Sequence, residues 1–306
     1  MADHEYRIGT DPLAVPNDGM RITVSSLDID PVKAEAAPLS VENYEYFDGA
    51  LLAVCIQYGN TYVVEGTAVM IGLGLALSAR HVFDHHRAAL GAGDAVGLCL
   101  GVRGDGTVAA WHVYSMATMP NGTDLQLLSL RLVSDMPTDG DLSTVPLTTR
   151  VPPRGEDLTV VGFRFNDEPA STDSIENPAA LSGLLYVSQG AAGQFSFPLH
   201  DSVLAPYPTI EVLSGTLGGM SGGAVIDVNG HLVGVTSMGL ETDDQEGPSL
   251  AAWWLPAYFW KPQLTWPVGL YNEEFTAVSE NSTVRIVGRE HILVTDNGRY
   301  DLTKWL

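Results

Sequence analysis

The sequence predicts an all-β protein built as two antiparallel barrels. Short β-prone runs fall into two clusters, and a polar, Pro-rich connector at 134–154 separates them. Glycines and Asn-Gly or Asp-Gly dipeptides punctuate the runs, the composition of tight hairpins.

The elements follow in chain order. Residues 1–45 are rich in Pro, Asp and Ala with weak periodicity, and are read as an extended N-terminal arm. The first cluster comprises 51–58, 61–71, 73–78, 95–102, 107–114 and 125–132, within a barrel spanning 46–140. The second comprises 158–165, 183–189, 209–213, 223–228 and 231–237, within a barrel spanning 141–262. The apolar, aromatic segment 249–260 is expected to pack on the second barrel as a short helix or strand. Residues 263–306 are read as a small β extension, with runs at 284–287 and 291–295 and a turn at Asp296-Asn297-Gly298 leading into 299–302.

Composition narrows the function. The chain has 306 residues, 45% of them hydrophobic, with 32 Gly and 18 Pro, which suits a turn-rich globular protein of one or two domains. No apolar stretch is long enough for a membrane-spanning helix. The net charge of −22, with only 15 Lys and Arg, opposes binding to nucleic acid and to anionic membranes. Met1 to Arg7 shows no basic region followed by an apolar core, so a cytoplasmic location is expected. Cys55 and Cys99 sit in apolar runs and are expected to be buried free thiols, in keeping with a reducing compartment.

The most informative motif is Gly219-Met220-Ser221-Gly222-Gly223. Its glycines allow a sharp turn and leave room for a substrate against the main chain. A serine there can present an exposed hydroxyl beside converging backbone N–H groups, as a nucleophile with an oxyanion hole requires. Read blandly, it is a Gly-rich hairpin with a serine in the turn. A serine nucleophile needs a base, and His81 ends the apolar run in Leu75-Ala76-Leu77-Ser78-Ala79-Arg80-His81. Asp124 opens another apolar run after the turn signal Asn121-Gly122. The order His81, Asp124, Ser221 is one of the chain orders in which a Ser-His-Asp triad occurs.

With these motifs the sequence resembles the chymotrypsin-like serine peptidases, particularly their disulfide-poor bacterial branch. Ser78-Ala79-Arg80-His81-Val82 is similar to the family's histidine motif, Thr123 to Leu128 to its aspartate motif, and Gly219 to Gly223 to its serine motif. Gly66 to Ile71 resembles the strand before the histidine, and Gly234 to Gly239 the strand that lines the substrate cleft. The resemblance implies two six-stranded barrels with the active site between them, and a serine endopeptidase acting on protein or peptide substrates without a cofactor. It implies Ser221 as nucleophile, His81 as general base and Asp124 as the group that orients it. It also implies an oxyanion hole from the N–H groups of Gly219 and Ser221, and substrate contacts at Gly215, Ser237, Met238 and Gly239.

Three departures from the family bear on mechanism. Met220 replaces an acidic residue that pairs with a newly cut N-terminus in digestive members. Activation by N-terminal cleavage is therefore not expected, and some other contact, such as a partner or the substrate, must order the loop. Gly215 stands where a trypsin-like enzyme carries a carboxylate, so a small or apolar P1 side chain is expected. Met238 replaces a common Trp and makes the cleft wall more adaptable.

Asp84 and Asp105 are alternative acids, but neither opens a comparable apolar run. His81, His85 and His86 could suggest a metal, but no further ligand accompanies them, so no metal is expected and His85 and His86 are read as solvated. An α/β-hydrolase requires its histidine after the serine and alternating helices and strands, which are missing. A protein-binding module on a peptidase fold, inactive until an effector binds, is the alternative of a different class.

Overall fold

The computed structural model describes residues 4–8, 20–24, 47–103, 107–134, 142–165, 170–171, 179–181, 183–240, 247–258, 260–267, 277–294 and 300–301. Strands β1 (His4–Ile8) and β2 (Met20–Val24) form an antiparallel pair within the expected arm. The first barrel follows as β3 (Leu51–Tyr58), β4 (Thr61–Gly72), β5 (Leu75–Ser78), β6 (Val96–Val102), β7 (Val108–Thr118) and β8 (Gln126–Leu132). Two short helices, α1 (His81–Asp84) and α2 (Arg87–Ala92), lie between β5 and β6. The strands pair in the order β4-β3-β6-β7-β8-β5, and a β4–β5 ladder closes the ring.

The second barrel is drawn from β9 (Leu147–Thr148), β10 (Asp157–Phe165), β11 (Ala170–Ser171), β12 (Ala179–Leu181), β13 (Gly183–Ser196), β14 (Thr209–Val212), β15 (Ala224–Ile226), β16 (Leu232–Gly239) and β17 (Ser249–Trp253). Six of these pair in the order β15-β10-β13-β14-β17-β16, and a β15–β16 ladder closes the ring. The fold is two closed six-stranded antiparallel barrels. Strand β11 instead adds to β4, and β12 runs parallel to β2. Among the described residues, no helix is long and apolar enough to cross a membrane.

The barrels form because alternating apolar residues point inward from each strand. Leu52, Val54, Ile56, Leu75, Leu77 and Leu98 are buried in the first, and Val160, Phe163, Ile210, Val235 and Trp253 in the second. Several elements differ from the expectation. Strand β13 extends well past residue 189 because its ladder to β10 continues to Ala191 and a bulge then passes it on to β14. Gly190 fits there because a Cβ would meet the Leu213 carbonyl carbon at 2.6 Å. The connector contains β9, which runs parallel to β16 and to β18 (Ile286–Val287). Two-residue strands are too short to leave a periodic signal. Through β18, part of the C-terminal extension joins the sheet of the second barrel. Segment 249–260 contains both a strand, β17, and a 3₁₀ turn at Leu255–Ala257. Strands β19 (Leu293–Val294) and β20 (Tyr300–Asp301) pair antiparallel, and the turn read at Asp296-Asn297-Gly298 lies outside the described residues.

Candidate active site

His81 and Asp124 come together across the first barrel. Strand β5 ends at Ser78 and delivers His81 to the first position of α1, and Asp124 sits just ahead of β8. The β5–β8 ladder pairs Ser78 with Gln126, which brings the two strand ends side by side. Asp124 is buried, and three donors hold its carboxylate. His81 Nδ1 lies 2.9 Å from Oδ2, the His81 backbone N–H donates to Oδ1 at 3.0 Å, and the Ser237 hydroxyl donates to Oδ2 at 2.6 Å. A carboxylate can only accept, so Nδ1 carries the proton and Nε2 of the neutral ring is left basic.

The chain of hydrogen bonds continues outward. Ser237 gives its single proton to Asp124, so the Tyr207 hydroxyl, 2.6 Å away, donates to Ser237 Oγ. Burial and the nearby Asp124 charge push the Tyr207 phenol up to about 12, which keeps it a neutral donor. Burial works against a charged His81. The Asp124 hydrogen bond and charge, aided by Asp84, outweigh it and set the imidazole above its ordinary pKa.

Ser221 arrives from the second barrel on the loop between β14 and β15. Gly219 has φ +93° and Gly222 φ +80°, conformations that favour glycine. The Ser221 carbonyl accepts from the Thr67 N–H at 2.8 Å, and Gly222 N–H donates to the Thr236 carbonyl at 2.7 Å. A Cβ on Gly222 would overlap the Thr67 carbonyl and the Ser78 hydroxyl, and would lie 2.9 Å from Ala79 N. The serine loop therefore packs against the strand end that leads into His81. Met220 is buried, its N–H donates to the Leu217 carbonyl at 3.1 Å, and its sulfur accepts from the Leu217 N–H at 3.3 Å. Among the described residues, the N–H groups of Gly219 and Ser221 have no hydrogen-bond partner, and no hydrogen bond joins the Ser221 hydroxyl to His81. Two unoccupied donors on either side of a tied one can receive a developing oxyanion.

The other singled-out residues surround this core. Ser237 lies at a bulge in β16, where the ladder to β17 shifts register, and its side chain faces Asp124 rather than solvent. Met238 and Gly239 continue the same strand toward its exposed end. Gly215 lies in the serine loop, and its carbonyl accepts from the Ser188 hydroxyl at 2.8 Å. Ser188 also hydrogen-bonds Ser214, so hydroxyls lie beside this position. Asp84 pairs with Arg80 and Arg87 on the surface, and Asp105 lies outside the described residues.

One sequence reading needs correction. His86 is not solvated: its Nε2 lies 2.9 Å from Glu65, and the Tyr58 hydroxyl is 2.7 Å from its Nδ1. Tertiary placement of α1 against β4 brings Glu65 to it, whereas His85 is exposed. Among the described residues no group of His, Cys, Asp or Glu is arranged to hold a metal ion. The sequence reading gave no role to Thr67, Tyr207 or the Ser237 side chain. The Gly66-Thr67 opening of its strand motif was the one signal for Thr67; Tyr207 had none.

A family model of trypsin-like peptidase domains matches residues 66–235, more than half of the chain and all three of His81, Asp124 and Ser221. No curated protein matches the sequence. Among solved structures, the apo protease domain of MamO from Magnetospirillum magneticum is 13% identical with a TM-score of 0.48, covering 70% of this chain and 96% of that one. Deg5 is 15% identical with a TM-score of 0.46, covering 69% of this chain and 87% of that one.

Proposed function

Because the chain belongs to the trypsin-like peptidase family, we propose that it is a serine endopeptidase that cleaves peptide bonds in protein substrates through an acyl-enzyme. The observation that carries this reading is the Asp124 carboxylate held by His81 Nδ1 at 2.9 Å, which leaves Nε2 as the base. Ser221 Oγ attacks the scissile carbonyl, and its proton passes to His81 Nε2. The oxyanion takes the N–H groups of Gly219 and Ser221. His81 then protonates the leaving amine, and a water activated by the same nitrogen releases the acyl group. Asp124 stabilises the imidazolium throughout without itself taking the proton.

The substrate main chain adds along β16 from Ser237 to its exposed end at Gly239, pairing as an extra strand. Gly215 carries no carboxylate, which supports a small or apolar P1 residue. A cytoplasmic site of action fits the free, buried Cys55 and Cys99.

A second reading, a protein-binding module that an effector switches on, draws on the missing hydrogen bond between Ser221 and His81. One experiment separates the two. The purified protein is incubated with a fluorescent fluorophosphonate beside a Ser221→Ala control, and digestion of unfolded casein is followed in parallel. Labelling that depends on Ser221, with casein cleavage lost ~10⁶-fold in the variant, is the expected result. Neither labelling nor cleavage by the wild-type protein would overturn the peptidase reading in favour of the binding module.

A further inference from the structure

The acidic residue absent at position 220 leaves open what orders the serine loop. The structure supplies that contact from within the chain. Thr67, fully buried on β4, uses every polar atom it has. Its N–H donates to the Ser221 carbonyl at 2.8 Å, and its carbonyl accepts from the Ser78 hydroxyl at 2.7 Å. Its Oγ1 accepts from the Phe163 N–H at 2.9 Å and lies 3.2 Å from the Gly219 carbonyl. Phe163 N–H can only donate, so the single hydroxyl proton goes to Gly219. Thr67 thus grips the carbonyls on both sides of Met220. It joins the first barrel to β10 of the second and to the loop that carries Ser221.

The surroundings leave the loop little alternative. A Cβ on Gly162 would lie 2.8 Å from Met220 Cα, and one on Gly66 would lie 2.8 Å from the Ser221 carbonyl oxygen. The Gly219 and Ser221 carbonyls turned toward Thr67 fix the peptide planes that carry the Met220 and Gly222 N–H groups, and the Gly223 N–H, which donates to the Met220 carbonyl at 2.9 Å, fixes the plane between them. The Ser221 N–H belongs to the plane between them, and the Gly219 N–H opens the same run. We infer that Thr67 is a positioning residue that holds the serine loop in its reactive shape, so that neither N-terminal cleavage nor a protein activator is needed. The inference rests on the peptidase reading above for its catalytic consequence, and on geometry alone for the ordering itself.

The full-length chain is compared as wild type, Thr67→Val and Thr67→Ser. Valine keeps the shape and removes the hydroxyl, whereas serine keeps the hydroxyl. Two quantities are measured, the rate of fluorophosphonate labelling and backbone amide exchange by NMR at Leu217, Met220 and Gly222. The wild-type protein, with nothing added, should label and should exchange slowly at these three amides. Thr67→Val should label ~100-fold more slowly, the scale of a lost oxyanion donor, and exchange faster at Leu217 and Met220. Thr67→Ser should restore both. Labelling and exchange unchanged in Thr67→Val, or no recovery in Thr67→Ser, would overturn the inference. Rapid exchange at Leu217 and Met220 in the wild-type protein would overturn it even if Thr67→Val fails to fold. A protected loop that Thr67→Val loosens, in a protein that never labels, would uphold the ordering role and remove the peptidase reading instead.

Discussion

The two halves of the candidate site are built from different material. The His81–Asp124 half is assembled mainly from side chains, with His81 and Ser237 converging on one buried carboxylate and Tyr207 donating to Ser237. The Ser221 half is assembled from backbone. Its contacts run through the carbonyls of Gly219, Ser221 and Thr236 and through glycines that admit no Cβ. A side-chain half fails when a functional group is changed, and a backbone half fails when a shape is changed. The first is sensitive to isosteric substitutions at several side chains, whereas the second responds to an isosteric change at Thr67 and to a single added methyl group on its glycines.

Substitutions can sharpen or break this contrast. The largest effect is expected from Asp124→Asn, which keeps the volume but removes the charge and allows the wrong imidazole tautomer. The casein cleavage rate should fall ~10⁴-fold with little change in thermal stability. A loss below tenfold would mean that the carboxylate does not hold the base. Gly222→Ala should come next, losing ~10³-fold in labelling rate, because its methyl must displace the Thr67 carbonyl and the loop donors with it. Near-wild-type labelling would show that the backbone half is more forgiving than its contacts imply. Ser237→Ala removes one hydrogen bond to a charged group, and kcat should fall ~10- to 100-fold. Its main-chain pairing survives, so KM should move less than kcat.

The smallest effect is a displacement along the pH axis. His81 must be neutral to act as base, and Asp124 holds its pKa above the ordinary imidazole value. The kcat/KM profile should therefore fall tenfold per pH unit below a midpoint that lies above ~6.5. An unperturbed imidazole would place that fall at about 6.5. The sign for stability is opposite. A raised folded-state pKa stabilises the fold below the unfolded pKa, and this contribution is lost as pH rises through the folded value. In Asp124→Asn the larger raising contacts are gone and only Asp84 is left to oppose burial, so the residual activity should have its midpoint at lower pH than wild type. A midpoint that does not move would separate His81 from Asp124 functionally.

Legibility differed between the two halves for the same reason. The chemistry-bearing residue types in the first half, His81 and Asp124, announce themselves because each ends or opens an apolar run. The contacts that position them were hidden. Tyr207 lies in a loop without periodicity, and Ser237 lies at a bulge that a simple strand pattern does not reveal. His86 read as solvated because only the approach of β4 gives it Glu65. The barrel strands were legible where a short apolar run is buried on both faces and bounded by turn residues, as in β3 and β8. The tail of β13 and the two-residue β9 were not, because pairing rather than hydrophobic pattern maintains them.

By itself the sequence determined the candidate residues, in a serine between glycines, a histidine and an aspartate in a set order, and two sets of strands able to close. It also determined that the loop lacks an acid at position 220. Which group orders that loop was decided by tertiary structure alone. Thr67 and Gly219 stand 152 positions apart, on different barrels. A hydrogen bond from a buried hydroxyl to a main-chain carbonyl leaves no mark in residue type or period at the accepting end. Only the closure of both barrels against one another brings donor and acceptor within reach.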